Sequence, residues 1–146
     1  MRFTYSFQKI VDLKQGEKRQ AEWVLSLAVG RLTREESSLA DLMSEKQAME
    51  QRLSEAAAGR ATISELALIR DYIDHLDRAI DLKHRDVDQA KRQVAAQKEQ
   101  LKEKMVQEKV WMKAREKAYR KFVAEALRKE QEELDEMAVM RHSRLI

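Results

Sequence analysis

The chain of 146 residues contains no cysteine, so no disulfide staples it and no thiolate serves it as nucleophile or metal ligand. That fits a reducing compartment. Proline is absent too, and glycine occurs only at Gly16, Gly30 and Gly59. Turn-rich architectures draw on both residues, so their scarcity favours long helices. Aromatics make up 5% of the chain, too few for a broad core. Crossing a bilayer as a helix takes about 20 apolar residues, and the longest apolar-looking stretch, Trp23 to Val29, falls far short. The opening, Met1 to Lys14, alternates apolar and polar residues and lacks the apolar centre of a signal peptide. A soluble, cytoplasmic protein is expected.

Catalytic equipment is equally sparse. There is no glycine-rich phosphate loop, and His75, His84 and His142 are scattered. His84 and Asp88 stand one helical turn apart, but nothing completes a tetrahedral metal set. Acid pairs such as Glu132 with Glu136 read as helix-surface charges. We assign no catalytic residue, cofactor, metal or small-molecule substrate, and expect no enzyme.

What the chain has in abundance is charge. Charged residues are 38% of it, against roughly 25% in a typical soluble domain. Such a chain buries a narrow seam. The net charge of +3 hides a segregation. From Lys91 to Lys121 there are eleven bases and four acids, and from Glu125 to Glu136 six acids and two bases. Charge that changes sign along one element gives partners a directional surface. The basic stretch also raises a nucleic-acid reading, but acids interrupt it, and Trp111 and Tyr119 are not spaced as a base-stacking platform. Nucleic acid is the weaker alternative, beside a generic coiled-coil scaffold.

One place carries both a helix-stop and a helix-start signal. Gly59 is suited to the left-handed conformation that ends helices. Thr62 with Glu65 spells a capping box, in which each side chain bonds the other's backbone N–H. The expected fold is therefore all-α: a two-helix antiparallel coiled-coil hairpin in a single domain, 1–146. Its helices span about 3–58 and 63–140, with the turn at 59–62.

The first helix shows apolar positions at Phe3, Phe7, Ile10, Ala21, Val24, Ala28, Leu32, Leu39, Leu42, Met49, Leu53 and Ala56. Steps of three and four mark one seam. Lys14, Glu17, Glu35 and Lys46 interrupt that seam and predict weak or wet packing. Gly16 and Gly30 predict soft spots. In the second helix Leu66, Ile69, Ile73, Leu76, Ile80, Lys83, Val87, Ala90, Val94, Gln97 and Leu101 alternate by three and four without a break. Beyond them the pattern is continued through Met105, Met112, Tyr119, Phe122 and Ala126. A fold-back at Gly59 pairs residues whose numbers sum to about 121, since both helices rise equally per residue. It sets Phe3, Phe7 and Ile10 near Ala118, Ala114 and Trp111, large against small. Both helices also show a 3,4,4 slip, at Ala21 to Leu32 and at Val94 to Met105, at matching heights. Residues after about Tyr119 outlast the first helix. Beside the main seam, Leu68, Tyr72, His75, Ala79 and Leu82 form a second stripe, wider than a two-helix contact needs.

The opening Phe3-x-Tyr5-x-Phe7-Gln8-Lys9-Ile10-Val11-Asp12-Leu13-Lys14, the run Tyr72-Ile73-x-x-Leu76-x-x-Ala79-Ile80 and the late Leu134-Asp135-Glu136 together resemble the flagellar export protein FliJ family. That family supplies the stalk-like component of the flagellar type III export apparatus, and the resemblance covers nearly the whole chain. It implies a hairpin similar to the central stalk of rotary ATPases. The implied partners are the hexameric export ATPase, whose assembly family members promote, the export-gate membrane protein and the export chaperones. These partners imply a location at the cytoplasmic face of the membrane. The family's gate-binding stripe falls here on Tyr72, Leu76 and Ala79, with Lys83 where an imidazole is usual. Facing positions Leu42 and Met49 fit that surface, whereas Glu45 departs from it. The overhang by itself is an unpaired helix; the resemblance, through Leu134-Asp135-Glu136, implies that it meets the ATPase ring, through Tyr119, Phe122, Val123, Leu127, Leu134, Asp135 and Glu136.

Overall fold

The computed structural model describes residues 2–145, and among them helix is the only regular structure. Helix α1 spans Gln8–Ala58 and helix α2 spans Ile63–Leu145. The two run antiparallel as an all-α helical hairpin. Packing divides the chain into two compact units: one joins the residues up to Gln20 to those from Lys102 onward, and the other is Ala21–Leu101.

In the Ala21–Leu101 unit the turn forms largely as its sequence dictates. The Glu65 N–H donates to Thr62 Oγ1 and the Thr62 N–H donates to Glu65 Oε2, each at 3.2 Å, so the capping box is closed. The Leu66 N–H then donates to the Thr62 carbonyl at 3.0 Å and begins α2. Gly59 departs from expectation. No described residue has a positive φ, so α1 does not end in a left-handed glycine. Instead the Gly59 N–H donates to the Ala56 carbonyl at 3.2 Å, a tightened last turn that satisfies one terminal carbonyl.

The core of this unit is the α2 seam. Ile73, Leu76, Ile80, Val87, Ala90 and Val94 are buried, and Leu76 and Ala90 are 2% and 0% exposed. From α1, Ala28 is buried, and Val24, Leu32, Leu39, Leu42, Met49 and Leu53 are half-buried. The charges interrupting the α1 seam are not wet defects, because each meets a partner across the helix pair. Glu35 accepts from Lys83 Nζ at 3.0 Å, and Lys46 Nζ lies 2.6 Å from Asp77. Arg31 Nη1 donates to Gln93 at 2.8 Å.

The other unit begins with a correction. Helix α1 starts at Gln8, not near Phe3; residues 2–5 are irregular and a turn follows. The Ile10 and Val11 N–H groups both donate to the Phe7 carbonyl, which anchors the first turn. The irregular segment folds over α2. Phe3 sits edge-on to Tyr119 at 5.2 Å between ring centroids and 5.4 Å from Phe122, and Phe7 lies 6.0 Å from Trp111. Large rings thus meet large rings, where the simple register set them against Ala118 and Ala114. The displacement follows from the loss of helical geometry before Gln8. Arg115 caps the cluster: its guanidinium lies over the Phe3 ring at 5.5 Å, and its Nε donates to Gln8 at 2.7 Å. Val11, 1% exposed, is the best-buried side chain of this unit.

The seam of α2 in this unit also differs from expectation. Lys104, Glu108, Trp111, Arg115, Ala118 and Phe122 turn inward, whereas Met105, Met112 and Tyr119 are largely exposed. The alternation of three and four therefore runs without a slip in α2 as far as Phe122, and the slip expected at Val94 to Met105 is absent. Polar pairs take the positions that methionines were expected to fill. Lys104 reaches Glu17 at 3.5 Å, Lys18 reaches Glu108 at 3.0 Å, and Lys14 donates to Gln107 at 3.2 Å.

Candidate functional site: two partner-binding surfaces

The first candidate surface lies in the Ala21–Leu101 unit, along the edge of the α2 seam. Of the four residues expected to bind the export gate, the fold leaves two on the surface and withdraws two. Leu76 is core. Lys83 is half-buried, tied to Glu35 at 3.0 Å and to Asp86 at 3.7 Å. Its pKa is raised above the ordinary 10.5, first by the hydrogen bond to Glu35, against a smaller desolvation effect. Tyr72 is 39% exposed, and Ala79, two helical turns further along α2, is half-buried. The resemblance groups Leu76 and Lys83 with Tyr72, whereas their spacing puts both in the seam, and only the outer margin of that grouping reaches solvent.

The structure adds a residue that the sequence had set aside. The Tyr72 hydroxyl donates to Glu45, the acid that departed from the expected pattern. That bond, more than burial, raises the Tyr72 pKa above its ordinary 10.0. The Tyr72 ring also stacks on His75, 6.1 Å away and 28° inclined. Tyr72 is thereby held from both sides, with one ring face presented outward. Leu68, 70% exposed, continues the margin toward an open groove of about 420 Å³ lined by Met49, Arg52, Ala56 and Ile69. The signal for Glu45 was available in principle, because the hairpin register sets it almost opposite Tyr72.

The second candidate surface is the C-terminal part of α2, in the other unit. Phe122, Val123 and Ala126 are half-buried, and Phe122 lies against Phe3 of the segment before Gln8. Exposure without relief starts at Leu127, so the free stretch begins later than Tyr119. Every described residue from Leu127 to Leu145 is exposed, and Leu127, Leu134, Met137, Val139 and Met140 each exceed half of their free area. Asp135 accepts from Gln131 at 3.2 Å, an ordinary one-turn helix bond, and Glu136 is open to solvent. Tyr119, 49% exposed, serves the aromatic cluster with one face and solvent with the other. A bare helix with exposed apolar residues on several sides is a candidate surface for packing against protein.

Among the described residues no group of three or more acids and histidines is placed to hold a metal ion. No helix of the described chain is long and apolar enough to cross a membrane.

The family model described as "Flagellar FliJ protein" matches residues 3–145. The Flagellar FliJ protein of Bacillus subtilis (strain 168) is 26% identical over 139 residues, which is 95% of each chain. No solved structure gives a significant match. With a long antiparallel helix pair, an outlasting second helix and a family match over nearly every residue, this chain belongs to the flagellar FliJ protein family.

Proposed function

We propose that the chain is a non-enzymatic stalk and adaptor of the flagellar type III export apparatus, which promotes assembly of the export ATPase ring and links ring, export gate and export chaperones. The observation that carries the reading is the bare stretch of α2 from Leu127 to Leu145. It stands clear of α1, keeps apolar side chains on more than one side and is acidic as far as Glu136. A helix inside a ring touches several subunits at once, so apolar residues all round it are what that position requires. A chain that binds the assembled hexamer in preference to free subunits stabilises the hexamer by mass action. The Tyr72 margin, with Ala79 and Leu68, offers the gate a rigid aromatic of large area and low entropic cost. Attachment through ring and gate places the protein at the cytoplasmic face of the membrane without a span of its own.

The test is to remove residues 127–146, which spares the Phe3, Tyr119 and Phe122 cluster, and to follow ATP hydrolysis by the export ATPase across its concentration range. The full chain is expected to move the onset of hydrolysis to lower ATPase concentration, and the truncated chain to leave it where the ATPase alone has it. A truncated chain as effective as the full one would refute the ring reading.

A further inference from the structure

We propose that the bare end of α2 is also a self-association surface, on which a second copy of this chain packs antiparallel. From Leu127 the positions Leu127, Glu130, Leu134, Met137, Arg141 and Arg144 recur at steps of three and four, the spacing of a coiled-coil seam. All six are exposed, and among the described residues no ion pair within the chain engages Glu130, Arg141 or Arg144. The charge along the stripe reverses, with acid at Glu130 and bases at Arg141 and Arg144. Two copies side by side in parallel would set Glu130 on Glu130 and Arg141 on Arg141. Turned antiparallel about a two-fold axis between Leu134 and Met137, they set each Leu134 on the other copy's Met137. The same axis sets each Glu130 against the other copy's Arg141. That two-fold contact is closed and stops at the dimer.

The chain already uses this device within itself. Seam charges that look like defects in one helix are matched by the facing helix, as Glu35 is by Lys83 and Glu17 by Lys104. The free end of α2 carries the same kind of interrupted seam: Arg141, on its own C-terminal turns, completes Glu130, while Arg144 falls opposite Leu127 and lays its aliphatic stem there. The contact is short, so the dimer forms and dissociates with concentration. It covers the surface proposed for the ATPase ring, so the two associations exclude one another, but it does not depend on the ring reading. Sedimentation of the chain alone reports on the first, and ATPase assembly on the second.

The experiment is equilibrium sedimentation of the full chain over a concentration series, with helix content followed by circular dichroism. The wild type is expected to show a monomer–dimer equilibrium. Arg141→Glu is expected to weaken it at least roughly tenfold, because like charges then face each other across the contact. Glu130→Arg is expected to do the same, and the double exchange Glu130→Arg with Arg141→Glu to restore the wild-type equilibrium, since the two charges meet only across an antiparallel pair. Neither site is packed in the monomer, so helix content is expected to stay constant. A wild type that remains monomeric at every concentration, a dimer indifferent to either single exchange, or a double exchange that fails to restore it would each overturn the proposal.

Discussion

At the scale of residues, the glycines separate the sequence expectation from the structure most cleanly. Gly59 lacks the positive φ that would demand glycine, and a Cβ there would make ordinary contacts, the nearest with the Glu55 carbonyl at 3.4 Å. Gly16 has open space where its Cβ would be, and Gly30 has only the flexible end of Arg34 at 3.6 Å. Thermal or denaturant unfolding of Gly16→Ala and Gly30→Ala is expected to show a gain of about 0.5–1 kcal/mol each, from helix propensity and a less free unfolded chain. Gly59→Ala is expected to be neutral or mildly stabilising. A marked loss on Gly59→Ala would mean that the turn needs a left-handed residue after all. The pair Leu76 and Tyr72, neighbours on one expected stripe, divides in the same way. Leu76→Ala removes a core side chain and is expected to cost about 2 kcal/mol, the lower end for such truncations, because a two-helix core is thin. Tyr72→Ala is expected to leave helix content unchanged while weakening capture of the export-gate protein in a pull-down. Equal loss of fold in both variants would make Tyr72 a structural residue.

At the scale of elements, the polar layers set the register. Apolar seams tolerate a slip of one heptad, whereas a buried or half-buried charge whose partner moves away is left unpaired. In the Ala21–Leu101 unit two such lysines, and the exposed Tyr72, have raised pKa values. Those of Lys46 and Lys83 rise chiefly through hydrogen bonds to Asp77 and Glu35, and that of Tyr72 through its bond to Glu45. A raised value in the folded state means that the contribution is complete below the ordinary values of 10.5 and 10.0 and disappears as pH climbs through the raised ones. Stability is therefore expected to be insensitive to these groups at neutral pH and to fall in the alkaline range above about pH 10. Thermal unfolding from pH 8 to 12 checks this, and Lys83→Met with Glu35→Met is expected to flatten the alkaline fall. These layers also show why part of the fold was illegible. The α2 seam could be read position by position, because apolar residues at steps of three and four announce themselves. Lys14, Glu17, Glu35 and Lys46 looked like defects, because one helix's pattern does not say what the other helix brings to meet them. Beyond Leu101 methionines continue the apolar spacing, yet the structure turns Lys104 and Glu108 inward. The start of α1 was misplaced for another reason: Phe3 and Phe7 stand one helical turn apart, yet Phe3, Tyr5 and Phe7 pack as an irregular cluster in which Phe3 stacks on Tyr5 at 6.5 Å. Of the candidate surfaces, the bare end of α2 is legible from length alone. For Glu45 the hairpin register gives only its place almost opposite Tyr72; the bond itself depends on a hydroxyl that the folded pair brings within reach.

At the scale of the whole molecule, the two helices differ in length, and the functional reading grows from that difference. Residues packed on α1 hold the fold, and residues beyond its reach are free to bind. The stretch from Leu127 onward is the part of the chain that packing within the monomer does not explain, and a ring of ATPase subunits is the partner we propose for it. The most direct measurement places a photo-crosslinking amino acid singly at positions 127, 134 and 137, and at the exposed control position 82, in the full chain mixed with the assembled export ATPase. The expected result is crosslinking to the ATPase from all three positions on the bare helix and none from position 82. Crosslinks from position 82 with none from 127, 134 and 137 would contradict the placement of this helix in the ring.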